Sequence, residues 1–206
     1  MLRAFSRAGA KTVAADSSPL APALYHADVA VQVPRCAEPC YLDALRAVVS
    51  EQRAELILPL TDLDQSLVAR ERASLGALVL LPDQEVVERA ADKLATHEFL
   101  ISAGIGSPRT WHPTKLPRQL PFPVFLKWRY GSAAKQVATV HSVAELAVLL
   151  ARMEAEPLVQ ELCTGVEFSL DVFCDLDRRC LNAIPRTMIE SKGGESIKGA
   201  TIGTRS

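Results

Sequence analysis

A chain of 206 residues that is 49% hydrophobic, 23% charged and 5% aromatic has the makeup of a folded chain of one or two domains, which excludes collagen, coiled coil and wholesale disorder. Its 23 Lys and Arg against 24 Asp and Glu leave a formal net charge of -1. There is thus no overall basic field to hold a nucleic-acid backbone or an anionic membrane, and an anionic ligand must be held by a local site.

No stretch approaches the roughly 18 uninterrupted apolar residues of a membrane span. The opening MLRAFSRAGAKTVAADSS breaks its apolar residues with charge, unlike a secretory leader, so the sequence reads as cytoplasmic, with neither nucleic acid nor membrane as partner. The five cysteines make no CxxC pair and no His-bearing metal spacing. Cys36 and Cys40 lack a second pair, and all five read as reduced thiols.

In chain order, Leu2 and Phe5 sit three apart before Gly9 and predict a short helix. Apolar runs at Lys11–Ala15, Val29–Val33, Leu56–Leu60 and Leu78–Leu81 predict strands. Between them Tyr41–Glu51 places Leu42, Leu45, Val48 and Val49 on one helical face, and Asp62–Ser74 does the same with Leu63, Leu67 and Val68. This alternation predicts an α/β domain with a parallel sheet. A doubly wound domain carries a strand and a glycine-rich turn ahead of its first helix, and neither precedes Leu2. In the usual strand order that strand would lie between those at Lys11 and Leu56, leaving a gap in the sheet. The expectation is a clipped or misassigned start.

After Leu81 the texture changes. Two short helices, the second opening near Asp92 and ending at Gly104, lead to a Gly106-Ser107-Pro108 linker, so a boundary falls between Asp83 and Pro108. Phe122–Trp128 then predicts a strand, Gly131–Lys135 a tight turn and Gln136–Val140 the partner strand. A helix over Ser142–Glu154 and strands at Pro157–Leu162, Val166–Cys174 and Cys180–Thr187 follow. This second half reads as α+β with antiparallel hairpins. The division is a domain over 1–90 and another over 91–206.

Two segments carry chemistry. In PFPVFLKWRYGSAAKQV, Lys127 ends an apolar strand just before a small-residue turn. There an ammonium and approachable backbone N–H groups suit an oligophosphate, although a lysine above an ordinary hairpin fits the same residues. In PLVQELCTGVEFSLDVFCD, Gln160 and Glu161 at a strand end suit an adenine edge, and the Glu167 carboxylate suits two vicinal ribose hydroxyls, while a charged hairpin is equally consistent. Asp171 either faces the cleft or pairs with a neighbouring base. Asp62 and Asp64 at a strand end resemble general acid/base carboxylates, yet Thr61 with Asp62 reads better as a helix N-cap. The histidines at 26, 97, 112 and 141 are scattered without a nucleophile partner, which argues against a hydrolytic triad.

The order ADKLATHEFLISAGIGSPRT, PFPVFLKWRYGS, QELCTGVEFSLDV, IPRTMIESKGGESIKG resembles the ATP-grasp superfamily, particularly the large subunit of carbamoyl-phosphate synthase and related carboxylate–amine ligases. The resemblance covers nearly the whole chain. It implies an α/β, parallel-sheet preATP-grasp-like domain followed by an incomplete α+β ATP-grasp nucleotide-binding domain, with ATP and Mg2+ as cofactors. Lys93 and Lys127 would contact the ATP phosphates, Lys127 also lying near the adenine, and Gln160 would meet the adenine amino group. Glu161, Leu162 and Cys163 would line the adenine edge, partly through backbone, and Glu167 would bind the ribose. Lys192 would face a phosphate, with Gly193, Gly194 and Ser196 in the adjoining turn and Lys198 a weaker candidate. Arg186 would reach a substrate carboxylate.

Departures from the family pattern are a phosphate loop with one glycine, Gly131-Ser132-Ala133-Ala134, and a chain that stops at Thr204-Arg205-Ser206. The family's later acidic residue, Glu-x-Asn pair and arginine, which hold magnesium and the transferred phosphoryl group, would come after that point. The reaction implied for an intact relative is activation of a carboxylate to an acyl phosphate by ATP, then attack by an amine or ammonia. Its expected partners are therefore ATP and an unidentified carboxylate and amine, with a homodimer as a further possibility where sheet edges are exposed. Two other readings compete. One is a degenerate nucleotide-binding or subunit-interaction module without catalysis. The other is a nicotinamide-dependent oxidoreductase, suggested by Asp16 at a strand end but lacking GxGxxG.

Overall fold

The computed structural model of the protein describes residues 1–131, 137–192 and 195–203. Its contacts divide the chain into two units, Met1–Ala91 and Asp92–Ser206. The first contains α1 (Leu2–Arg7), β1 (Val13–Asp16), β2 (Val29–Gln32), α2 (Tyr41–Gln52), β3 (Leu56–Ile57), α3 (Asp62–Arg70), β4 (Leu78–Val79) and α4 (Gln84–Ala91). The β1–β2 and β3–β4 pairs are both parallel, Val13 facing Val29 and Leu56 facing Leu78. Among the described residues no ladder joins β1 to β3, so the sheet is split where the sequence places its gap.

One core spans both pairs. Tyr41, Leu45, Val48 and Val49 recur at helical spacing along α2 and are buried. Leu45 and Val48 pack with Val68, Leu75 and Val79, while Val13, Val31 and Ile57 close over them. The helix expected to reach Ser74 breaks at Glu71 into a short 3-10 turn, Arg72–Ser74. There the Arg72 guanidinium donates to the carbonyls of Ala69, Leu81 and Pro82. Thr61 does cap α3, accepting from the Leu63 N–H at 3.3 Å.

The second unit contains α5 (Lys93–Ser102), β5 (Thr110–Trp111), β6 (Val124–Trp128), β7 (Ala138–Val140), α6 (Val143–Leu150) and β8 (Pro157–Glu161). These strands form a four-stranded sheet in the order β5-β8-β6-β7, antiparallel throughout. Successive side chains alternate across a strand, and here the alternation sorts chemistry by face. Val124, Leu126, Val140 and Val159 form a core with Leu146 of α6. Phe125, Lys127 and Gln160 occupy the opposite face.

The α6 helix stops at Leu150, short of the expected Glu154, as the Arg152 and Met153 N–H groups turn back onto the Leu149 and Leu150 carbonyls. Two antiparallel hairpins follow, β9 (Phe168–Cys174) with β10 (Cys180–Thr187) and β11 (Glu190–Lys192) with β12 (Glu195–Lys198). Of the expected Gly131–Lys135 turn, only Gly131 lies within the described residues. It has φ +99°, in the left-handed region that favours glycine. No helix among the described residues is long and apolar enough to cross a membrane.

The Tyr41 hydroxyl donates to Asp64 Oδ2 at 2.6 Å inside the first core, and Asp64 Oδ1 is buried with no described partner. Burial pushes the Asp64 carboxyl above its ordinary 3.8, outweighing the hydrogen bond from Tyr41. A raised native value means that the folded state holds the proton more tightly than the unfolded one. The contribution to stability is therefore full below 3.8 and lost as pH rises through the folded-state value. Asp64→Asn is expected to flatten the fall in the urea midpoint with rising pH, and an unchanged slope would exclude Asp64 as its source.

Candidate functional site

The site begins at the junction of the ninety-second residue with the end of β6. Asp92 is the N-cap of α5, its Oδ1 accepting from the Leu94 and Ala95 N–H groups at 3.0 and 3.2 Å, which satisfies donors that a helix start leaves open. The same carboxylate accepts from Arg129 Nε at 2.8 Å, Arg129 Nη2 at 2.6 Å and the Tyr130 hydroxyl at 3.0 Å. Arg129 Nη1 extends the network to Glu156 Oε1 at 2.8 Å. Burial pushes Asp92 up, but Arg129, the helix N–H groups and Tyr130 outweigh it and hold the carboxyl at about 2.

This clamp sets Lys93. The Lys93 N–H donates to the Arg129 carbonyl at 3.2 Å, and its ammonium donates to the Gly131 carbonyl at 2.7 Å. A helix lysine is thereby brought beside the first residue of the small-residue loop.

On the sheet, Lys127 of β6 faces Leu158, and Phe125 faces Gln160. Lys127 and Gln160 are thus diagonal neighbours on one face, and Lys127 Nζ donates to Gln160 Oε1 at 2.7 Å. Gln160 Nε2 donates in turn to Thr110 Oγ1 at 2.7 Å, and the Thr110 hydroxyl donates to the Pro108 carbonyl at 2.9 Å. Burial lowers the Lys127 pKa, the nearby Lys93 lowers it further, and Cys163 opposes them. A lysine shifted in this way is short of counter-charge, a state that an incoming anion relieves.

Beside these residues lies a cleft of about 380 Å³ whose lining includes Phe125, Gln160, Leu162, Cys163 and Glu167. Glu161 also borders it, with its carboxylate committed to Arg109 at 3.0 and 3.2 Å, which holds that carboxyl below its ordinary value. Any part that Glu161 plays toward a ligand therefore falls to its backbone. A second cleft, of about 420 Å³, lies against Trp111, His112 and Lys115 and also borders Thr110, Arg129 and Glu156.

The remaining candidates separate. Asp171 pairs with a base. Arg186 Nε lies 2.6 Å from its Oδ2, a charge contact without hydrogen-bond geometry, and Nη2 donates to its Oδ1 at 2.9 Å. Lys198 pairs with Glu190 at 2.5 Å. Lys192 ends β11, and its side chain, with Gly193 and Gly194, lies outside the described residues. The Ser196 hydroxyl donates to the Lys198 carbonyl at 3.4 Å. His97 departs from expectation, since its Nδ1 lies 2.9 Å from Ser107 Oγ. The described residues include no group of three or more His, Cys, Asp or Glu placed to hold a metal.

Residues 90–205 match the family described as the ATP-grasp domain, and residues 1–79 match the PylC-like, N-terminal domain. The chain belongs to the ATP-grasp family. No curated protein matches it. Among solved structures it is similar to the L-amino acid ligase of Bacillus licheniformis, with TM-score 0.75 and 16% identity over 100% of this chain and 52% of that one. For the N5-carboxyaminoimidazole ribonucleotide synthetase of Thermus thermophilus the TM-score is 0.69, with 20% identity over 94% and 52% of the two chains. The biotin carboxylase domain of the Hydrogenobacter thermophilus 2-oxoglutarate carboxylase, a dimer in complex with MgADP, ADP and bicarbonate, gives TM-score 0.69 and 19% identity over 95% and 48%. The likeness is one of fold, and the chain spans about half the length of each of these proteins.

Because the Asp92 value is depressed, the stability it contributes is full above the ordinary 3.8 and lost as pH falls toward about 2. Asp92→Asn is expected to cost about 2 to 3 kcal/mol at neutral pH and to remove that acid-sensitive part of the urea midpoint. A cost below about 0.5 kcal/mol, the range of ordinary surface substitutions, would show that the clamp does not hold the junction.

Proposed function

We propose that the chain is the ATP-binding portion of an ATP-grasp ligase. In this reading residues 1–90 are the preATP-grasp domain and residues 91–206 the nucleotide-recognising part of the ATP-grasp domain. The observation that carries it is the contact of half-buried Lys127 with Gln160 at 2.7 Å, beside a cleft that also takes in Leu162, Cys163 and Glu167.

A nucleobase enters against Phe125, its amino group donates to Gln160 Oε1, and backbone groups of Glu161, Leu162 and Cys163 meet its edge. The Glu167 carboxylate accepts the two ribose hydroxyls. Lys127 and Lys93 meet the phosphates, and Lys192 joins them. Their ammonium groups act as positioned charge in a partly dry site, where an ion pair is stronger than in water. Magnesium accompanies ATP in this reading.

In the full reaction a carboxylate oxygen attacks the γ-phosphorus and ADP leaves with the electron pair of the broken P–O bond, giving an acyl phosphate. An amine or ammonia then attacks the acyl carbon, an amide bond forms and phosphate departs. The residues described here bind and orient the nucleotide for the first of these steps. A cytoplasmic location and a homodimer belong to the same proposal, the latter because the unjoined β1 and β3 edges offer backbone groups that a second chain can cover.

Calorimetric titration with a non-hydrolysable ATP analogue tests the reading. Saturable binding is expected, weakened about tenfold or more in both Lys127→Ala and Glu167→Ala. Phosphate favours the charged lysine, so affinity is expected to fall as pH rises through the Lys127 value, which lies below the ordinary 10.5. Absence of binding by a well-folded chain would leave the motif order as scaffold and replace the reading with a subunit-interaction module.

A further inference from the structure

We infer that Thr110 is a positioning residue that sets the nucleobase preference of the cleft, by holding the Gln160 carboxamide with its oxygen toward the ligand side and its NH2 away from it. The inference rests on the nucleotide-binding reading above. A terminal carboxamide presents an acceptor or a donor depending on a half-turn of its last torsion, and in isolation the two orientations are nearly equal.

Here the protons decide between them. The single hydroxyl proton of Thr110 goes to the Pro108 carbonyl at 2.9 Å, so only a lone pair of Thr110 Oγ1 remains for Gln160. At 2.7 Å that contact requires a donor, which the amide supplies only through Nε2. At the other end the Lys127 ammonium has donors and no acceptor, and at 2.7 Å it requires Oε1. A flipped amide would set NH2 against ammonium and oxygen against a lone pair. Thr110 is buried, 6% exposed, and lies directly across the ladder from Gln160, so the strand pairing holds its hydroxyl against the carboxamide.

The lock matters most with ligand present. When phosphate draws the Lys127 ammonium away from Gln160, Thr110 alone keeps Oε1 facing the base. An exocyclic amino group, as on adenine, then meets an acceptor. A ring carbonyl oxygen, as on guanine, meets another oxygen and is rejected. Base selection in this cleft therefore depends on a residue that does not touch the base.

The test is competition calorimetry with non-hydrolysable ATP and GTP analogues on the wild type, Thr110→Val and Thr110→Ser. The wild type is expected to favour the ATP analogue. Thr110→Val, of nearly the same shape, is expected to lower that preference about tenfold, while Thr110→Ser, which keeps the hydroxyl, is expected to retain it. A merely structural role would weaken both nucleotides equally and leave the ratio unchanged, which overturns the inference. Equal wild-type affinity for the two analogues overturns it as well, while the nucleotide-binding reading stands. A wild type that binds neither removes that reading and the inference together. A measurement free of any variant runs alongside. In 15N spectra of the wild type the Gln160 side-chain NH2 is expected to exchange slowly with water, and exchange at the rate of an exposed glutamine would count against the lock.

Discussion

A single carboxylate, that of Asp92, joins the start of α5 to the end of β6, and the geometry of the cleft follows from that join. The group satisfies two helix N–H donors, a guanidinium and a phenol at once. Neutral partners could fill the N-cap alone. Only an ionised acceptor opposite Arg129 draws the helix onto the strand, since charge-assisted hydrogen bonds are roughly twice as strong as neutral ones. Arg129 is anchored from behind by Glu156, so the join has a fixed side and a docked side. Lys93 and the loop that starts at Gly131 meet because both flank it in sequence.

The second constraint is the pleat of the sheet. Val124, Leu126 and Val159 fill the core, and the residues between them are thereby committed to the other face. A polar residue at such a position is held by a rigid strand rather than by a loop. Lys127 and Gln160 are within 2.7 Å of each other because two well-packed strands fix their register. The core thus acts on the chemistry at one remove, through the spacing that it imposes.

The sequence made local features legible. Leu42, Leu45, Val48 and Val49 mark their helix by spacing, Thr61 and Asp92 mark helix starts, and the apolar run Phe122–Trp128 marks the strand that carries Lys127. The split between β1 and β3 was also readable, because strand order in a doubly wound domain is predictable from few elements. Strand β5 was missed. Two residues between prolines at 108 and 113 carry no periodicity, and their pairing partner lies 50 residues away. For the same reason Thr110, Arg109 and Arg129 did not stand out as parts of the site, since each acquires its role from a partner distant in sequence. Asp171 and Arg186 show the converse. Arg186 reads alone as a contact for a substrate carboxylate and Asp171 reads equally as a cleft residue or the partner of a base, and the hairpin register sets them diagonally, where their side chains pair.

Everything chemical in this account depends on nucleotide entering the cleft bounded by Phe125, Gln160 and Glu167. The most direct measurement is a 15N-resolved NMR titration of the chain with a non-hydrolysable ATP analogue, followed to saturation. Backbone shifts are expected to concentrate at Lys93, Lys127 and Gln160 to Glu167, with the Gln160 side-chain amide moving among them. Shifts centred instead on Trp111, His112 and Lys115, which border the second cleft, or no saturable shifts at all, would contradict it.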